Sequence, residues 1–132
     1  MRVTTEIAHV KLLPTGAPVS YGGRFIASRP TRIAVLPVGY ADGFARALSE
    51  RGGFVVVRGA RAPIVGAVCM DMMMVDVTEI AAAQAGDRVT LIGHGLSASD
   101  HARLLGTIPY EIVTRVSARV PRVPVRPGGG AP

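Results

Sequence analysis

The sequence predicts a mostly β fold, a small antiparallel, Greek-key-like β-barrel with one or two short helices. Three observations lead there. Short apolar runs with period-two alternation recur along the chain. Turn signals built on glycine and proline separate them roughly every eight to twelve residues. The clear helix signatures are short and fall near the C-terminus.

Taken in order, Arg2 to Leu12 alternates weakly through Val3, Thr5, Ile7, Val10 and Leu12 and reads as a strand. Pro14-Thr15-Gly16 marks a turn. Val19 to Ala27 follows, and its paired Gly22-Gly23 suggests a bulge or a close approach to the backbone. Thr31 to Val38 is a β-branched run that Pro37 must bring near an edge or end. Gly39 to Gly43 is a loop, and Phe44 to Leu48 makes one helical turn. Phe54 to Arg58, Gly59-Ala60 and Arg61 to Val65 read as a hairpin. Val68 to Val77 is expected to be a strand, and Arg88 to Ile92 a short one. Ser97 to Asp100 supplies capping side chains for a helix that Gly106 ends. Pro109 suits the first turn of a second helix through Arg115. Arg119 to Val125 is expected to be a last strand.

The length of 132 residues fits one domain, and the 48% hydrophobic content argues against a disordered chain. We expect residues 1–126 to form the domain and 127–132, Pro-Gly-Gly-Gly-Ala-Pro, a loose tail. The lone Cys69 cannot form an internal disulfide, which suggests a reducing, cytoplasmic compartment. The N-terminus lacks the apolar run of a signal peptide. Ile64 to Val77 is the greasiest stretch, but Asp71 and Asp76 interrupt it and it falls short of the ~20 residues of a membrane span. The formal charge of +6 comes from scattered arginines, with Lys11 the single lysine and aromatics only 5%. That pattern reads as a solvated surface rather than a nucleic-acid face.

Generic catalytic patterns are absent. There is no P-loop, no paired-cysteine zinc pattern and no dinucleotide fingerprint. His9, His94 and His101 have no ligand spacing; His9 reads as a surface strand residue and His101 as a helix-face residue. Cys69 reads as a small hydrophobe, and Met72-Met73-Met74 as core or interface filler. Asp71, inside an apolar run, must find a donor or face a cavity. Tyr21, Tyr40 and Tyr110 each lie beside glycine or proline.

Four segments in order carry a resemblance: Val19-Ser20-Tyr21-Gly22, Leu36 to Gly43, Pro63 to Asp71 and Thr107 to Glu111, with Arg119-Val120-Pro121-Arg122 closing. From Val3 to Val123 the chain resembles the C-terminal domain of alanine racemase. The resemblance implies an enzyme of two domains, whose N-terminal α/β barrel, absent from this chain, carries pyridoxal 5'-phosphate on a lysine. It also implies a homodimer in which this β-domain closes the active site over the partner's barrel. Alanine would be the small-molecule substrate, and no nucleic acid or membrane would be bound. L- and D-alanine would interconvert through a cofactor-stabilised carbanion, supplying D-alanine for peptidoglycan.

Racemisation needs acid/base groups on opposite faces of one carbon. The resemblance gives one face to the barrel's lysine and the other to Tyr21. It assigns the backbone N–H of Met70 to the substrate carboxylate and places Tyr40 beside the substrate. Tyr110 would hold the cofactor phosphate, and Arg46 and Ile108 would line the access channel. Cys69 and Asp71 match neighbours of the site. Ala67 departs from the family, which often has arginine there. Lys11 precedes Tyr21 and matches no cofactor lysine, so the isolated chain is expected to be inactive. Two rivals differ in outcome: a serine or broad-specificity amino-acid racemase domain, and a non-catalytic basic β-domain that binds nucleic acid or protein.

Overall fold

Period-two alternation decides which side of each strand is buried. The computed structural model describes residues 1–128, Tyr21 by its main chain alone. Its strands are β1 (Val3–Glu6), β2 (His9–Leu13), β3 (Pro18–Val19), β4 (Phe25–Ile26), β5 (Thr31–Leu36), β6 (Phe54–Val57), β7 (Ala60–Val65), β8 (Met73–Asp76) and β9 (Arg88–Ile92). Two helices follow, α1 (Ala98–Leu105) and α2 (Pro109–Thr114). Short 3-10 turns span Tyr21–Gly23, Tyr40–Asp42 and Arg46–Ser49.

Seven strands form one antiparallel sheet in the order β1-β9-β6-β7-β8-β5-β2. Within it β6, β7 and β8 are consecutive neighbours, and β9 returns to lie beside β6. That is a Greek key. The edge strands β1 and β2 are consecutive in sequence, so one bent run supplies both edges of the curled sheet. The changeover sits at Ile7 and Ala8. Ile7 N–H donates to the Asp87 carbonyl at 2.9 Å, while Ala8 N–H donates to that of Val35 at 3.0 Å. The expected single strand from Arg2 to Leu12 is therefore two, split where the chain leaves one partner for the other.

The interior is built in layers. Ala34, Val75 and Ile64 are cross-strand partners on β5, β8 and β7, and all are buried. Val55 and Val57 of β6 and Val89 and Leu91 of β9 fill the same core, each at most 1% exposed. Burying one such side chain contributes roughly 1.5–3 kcal/mol. β5 is covered on both faces. Ala34 and Leu36 face the main core, while Ile33 packs with Val19 and Val65 under the β3–β4 hairpin.

Further expected strands are corrected. Val68 to Val77 is a strand only over β8, because 68–72 turns: Cys69 N–H donates to the Met72 carbonyl at 2.9 Å. Asp71 is consequently exposed rather than buried in a ladder. Met73 is fully buried, while Met72 is exposed, so the three methionines do not share one face. Arg119 to Val125 forms no strand. Its prolines remove ladder donors, and the Arg122 guanidinium takes the carbonyls of Val116, Ser117 and Val120 instead. Val19 to Ala27 likewise breaks into β3, a 3-10 turn and β4. The expected loose tail lies, from residue 129 on, outside the described residues. No helix among the described residues is long and apolar enough to cross a membrane.

Both helices start and stop as their end residues dictate. Ser97 Oγ accepts from Asp100 N–H at 3.1 Å, and the Asp100 carboxylate accepts from Ser97 N–H at 2.7 Å. Those bonds hold the Asp100 carboxyl below its ordinary pKa. Gly106 ends α1 at φ 69°, and Pro109 opens α2.

Candidate functional site

Val19, 1% exposed, anchors the β3–β4 hairpin against Ile33 and Val65. The tip of this hairpin is the turn Tyr21–Gly23. Just before Tyr21, Ser20 takes φ 66° and ψ −178°, a region essentially reserved for glycine, at a cost on the order of 1–3 kcal/mol. Surrounding contacts hold it there. Ser20 Oγ donates to the Ala67 carbonyl at 3.0 Å and lies 3.8 Å from Cys69 Sγ. Cys69 Sγ is itself 3.7 Å from the Ala67 carbonyl. The Tyr21 turn is thereby tied to the 66–72 loop.

That loop is tied in turn to residues 39–43. Tyr40 N–H donates to the Cys69 carbonyl at 3.1 Å, and Ala41 N–H to the Met70 carbonyl at 2.9 Å. Asp42 folds the 39–43 segment on itself, its carboxylate accepting from Gly39 N–H at 2.9 Å. Among the described residues the Met70 N–H has no acceptor, and Met70 is 56% exposed. The arrangement thus leaves the Met70 N–H as a donor on a loop whose Ala67, Cys69 and Met70 carbonyls already accept hydrogen bonds.

Tyr40 is 46% exposed, and the Arg46 guanidinium carbon lies 6.0 Å from its ring centre. A surface pocket of about 300 Å³ is bounded by Arg24, Arg46, Glu50, Ala67 and Val68, with Arg24 and Glu50 forming an ion pair across it. Arg46 and Ala67 therefore share one depression. Ala67, half-buried, contributes only a methyl group to its wall.

α2 joins this assembly from the other side. A Cβ on Gly43 would lie 2.2 Å from the Arg115 carbonyl oxygen, and Ser117 N–H donates to the Asp42 carbonyl at 3.1 Å. Arg119 Nε pairs with Asp42 Oδ1 at 3.0 Å. Tyr110 and Ile108, at the start of α2, are 77% and 58% exposed. Of the residues expected from the sequence, Tyr21, Met70, Tyr40 and Arg46 lie on directly bonded or touching segments. Tyr110 and Ile108 are linked to them through the far end of α2.

Lys11 lies exposed on β2 opposite Ile33 and lines neither this pocket nor the cavity beside His101. Tyr110 presents an exposed phenol, a group that can donate a hydrogen bond to a phosphate such as that of pyridoxal phosphate. No group of three or more metal-binding side chains occurs among the described residues.

Sequence reasoning missed the backbone of Ser20, for which serine gives no signal. It also missed how deeply His101 sits. Only 2% exposed, His101 borders a cavity of about 240 Å³ behind the 39–43 loop, together with Phe44, Leu48, Leu105 and Ile112. Burial lowers its pKa, the bond to Leu91 only partly opposing that shift.

Residues 1–124 match the profile of the family described as alanine racemase, C-terminal domain. The alanine racemase of Geobacter sulfurreducens is 48% identical over 132 residues, which cover 96% of this chain and 34% of that protein. That of Halothermothrix orenii is 51% identical over 122 residues, 89% of this chain and 32% of that protein. The Bacillus anthracis alanine racemase structure with bound L-Ala-P superposes with a TM-score of 0.90 at 39% identity, covering 97% of this chain and 33% of that one. The Bartonella henselae alanine racemase with covalently bound pyridoxal phosphate gives 0.88 at 36% identity, covering 92% and 34%. The chain spans about a third of the length of these relatives.

Proposed function

This chain belongs to the family of alanine racemase C-terminal domains, and from that premise we propose that it is the β lobe of a dimeric alanine racemase, working over an α/β barrel lobe of the partner subunit. Pyridoxal phosphate, held by that barrel, supplies the electron withdrawal that makes the α-proton of an attached amino acid removable. This chain supplies a proton carrier, an anion-binding amide and part of the channel wall.

Tyr21 moves the proton on one face of the α-carbon, opposite a base on the barrel. A free phenol titrates near 10, so phenolate at neutral pH needs positive neighbours from the other lobe. The Met70 N–H takes the substrate carboxylate. Tyr40 flanks the substrate, and Arg46 and Ile108 line the way in, where the guanidinium draws an anionic group inward. The Tyr110 hydroxyl donates to the cofactor phosphate. The product, D-alanine, serves cell-wall synthesis.

The observation that carries this reading is the free Met70 amide on a loop hydrogen-bonded to the Tyr40 segment and, through Ala67 and Ser20, to the Tyr21 turn. The test is α-proton exchange into heavy water, started separately from L- and D-alanine, using the complete two-lobed protein. Tyr21→Phe should abolish exchange at one face and spare the other. Equal loss at both faces counts against Tyr21 as a one-sided proton carrier. This chain alone, with added cofactor, should be silent, and clear turnover would overturn the two-lobe account.

A further inference from the structure

A turn that needs a glycine-like backbone normally carries glycine. This chain uses glycine for the positive φ angles at 22 and 23 but serine at 20, where φ is 66°. The hydroxyl explains the choice. It donates to the Ala67 carbonyl at 3.0 Å and so fastens the hairpin tip to the 66–72 loop. Gly66 makes the approach possible. A Cβ there would stand 2.5 Å from Ser20 Cβ and 2.8 Å from the Val19 carbonyl oxygen. Gly66 also has φ 70°, so its own conformation resists any side chain. Next to these stands Tyr21.

We infer that Ser20 and Gly66 are positioning residues, a lock that holds the main chain carrying Tyr21 at a fixed place against the Met70 loop. The inference rests on the reading of Tyr21 as the proton carrier. A glycine at 20 would reach the same backbone angles without strain, yet would leave the tip free to swing. The lock costs strain and yields rigidity, as pre-organised sites do. Ser20 touches no reacting atom in this account; it acts through Tyr21.

Ser20→Gly is the decisive variant, because strain relief offsets the lost hydrogen bond and the fold survives. In the complete protein we expect its Tm to stay within about 3 °C of wild type. Main-chain amide exchange over residues 20–24 should quicken. Exchange of the substrate α-proton on the Tyr21 side should fall about tenfold or more, with the opposite side and the KM for alanine nearly unchanged. Ser20→Ala, which keeps the strain and loses the bond, should lose Tyr21-side exchange and also melt earlier. Wild-type exchange on both faces in Ser20→Gly, with Tyr21→Phe still one-sided, would overturn the lock and leave Tyr21 standing. Loss of one-sidedness in Tyr21→Phe itself would bring down the reading beneath both.

Discussion

A Cβ on Gly39 would stand 2.1 Å from the Cys69 carbonyl oxygen. Gly39 has φ −152°, ordinary extended backbone, so the demand for glycine comes from contact alone. The contact brings Tyr40 and Ala41 into register with Cys69 and Met70. Gly39→Ala must separate the two loops or strain both. We expect a loss of about 3 kcal/mol, seen as a Tm drop of roughly 10 °C, with faster amide exchange at Tyr40 and Ala41. An unchanged Tm would mean the loops are not docked this closely.

Asp42 and Arg119 form an ion pair whose members should respond unequally. The Asp42 side chain is 14% exposed and also caps the buried Gly39 N–H; that of Arg119 is 57% exposed. Asp42→Ala leaves a buried donor without a partner, costing about 2 kcal/mol. Arg119→Ala breaks only the exposed half and should cost under about 1 kcal/mol. Urea titration of both variants checks this, and equal losses would refute it.

Much of this architecture is legible in the residues. On β6, Val55 and Val57 point inward while Phe54 and Val56 stay half-buried, as period-two alternation requires. Gly59 marks the hairpin that joins β6 to β7, but the turn is Arg58-Gly59 rather than Gly59-Ala60, because Ala60 already pairs with Val57 in the ladder. The start of α1 is written in Ser97 and Asp100. The misses have one cause, backbone groups satisfied outside a ladder. The apolar run at 68–72 looks like strand, but the carbonyls of Cys69 and Met70 are taken by Tyr40 and Ala41. The site follows the same rule. The tyrosines and Met70 proposed for it stand in motifs that suggest them, whereas the strain at Ser20 and the close pass of Gly66 exist only once distant loops meet.

The role given to Met70 belongs to its amide, so its side chain should be dispensable. The side chain is exposed and lies outside the buried clusters. In the complete protein Met70→Ala should leave the KM for alanine within about threefold of wild type. Replacing the peptide N–H of residue 70 by an ester oxygen should raise KM by about tenfold or more, the loss of one hydrogen bond to a charged group. Ester and wild type with equal KM would remove the amide from the carboxylate site.

His101 should make this fold sensitive to mild acid. Its Nε2–H donates to the Leu91 carbonyl at 2.6 Å, and Phe44 meets the ring edge-on at 5.4 Å between centres. Burial lowers its pKa, so the folded chain takes up the proton only at lower pH than the unfolded chain, which titrates near 6.5. Between those points the unfolded state holds more protons. Stability is therefore full above about pH 6.5, falls as pH drops through that value, and levels off once the folded histidine is also protonated. Asp87 and Asp100 act in a separate window. Hydrogen bonding, from Arg58 and from Ser97 respectively, is the leading cause that lowers their pKa values. Their contribution persists above about 3.9 and disappears only below it. Melts at about pH 7.5, 6.5 and 5.5 should show a falling Tm for wild type and a much flatter profile for His101→Gln. Parallel profiles would show that some other group carries the dependence.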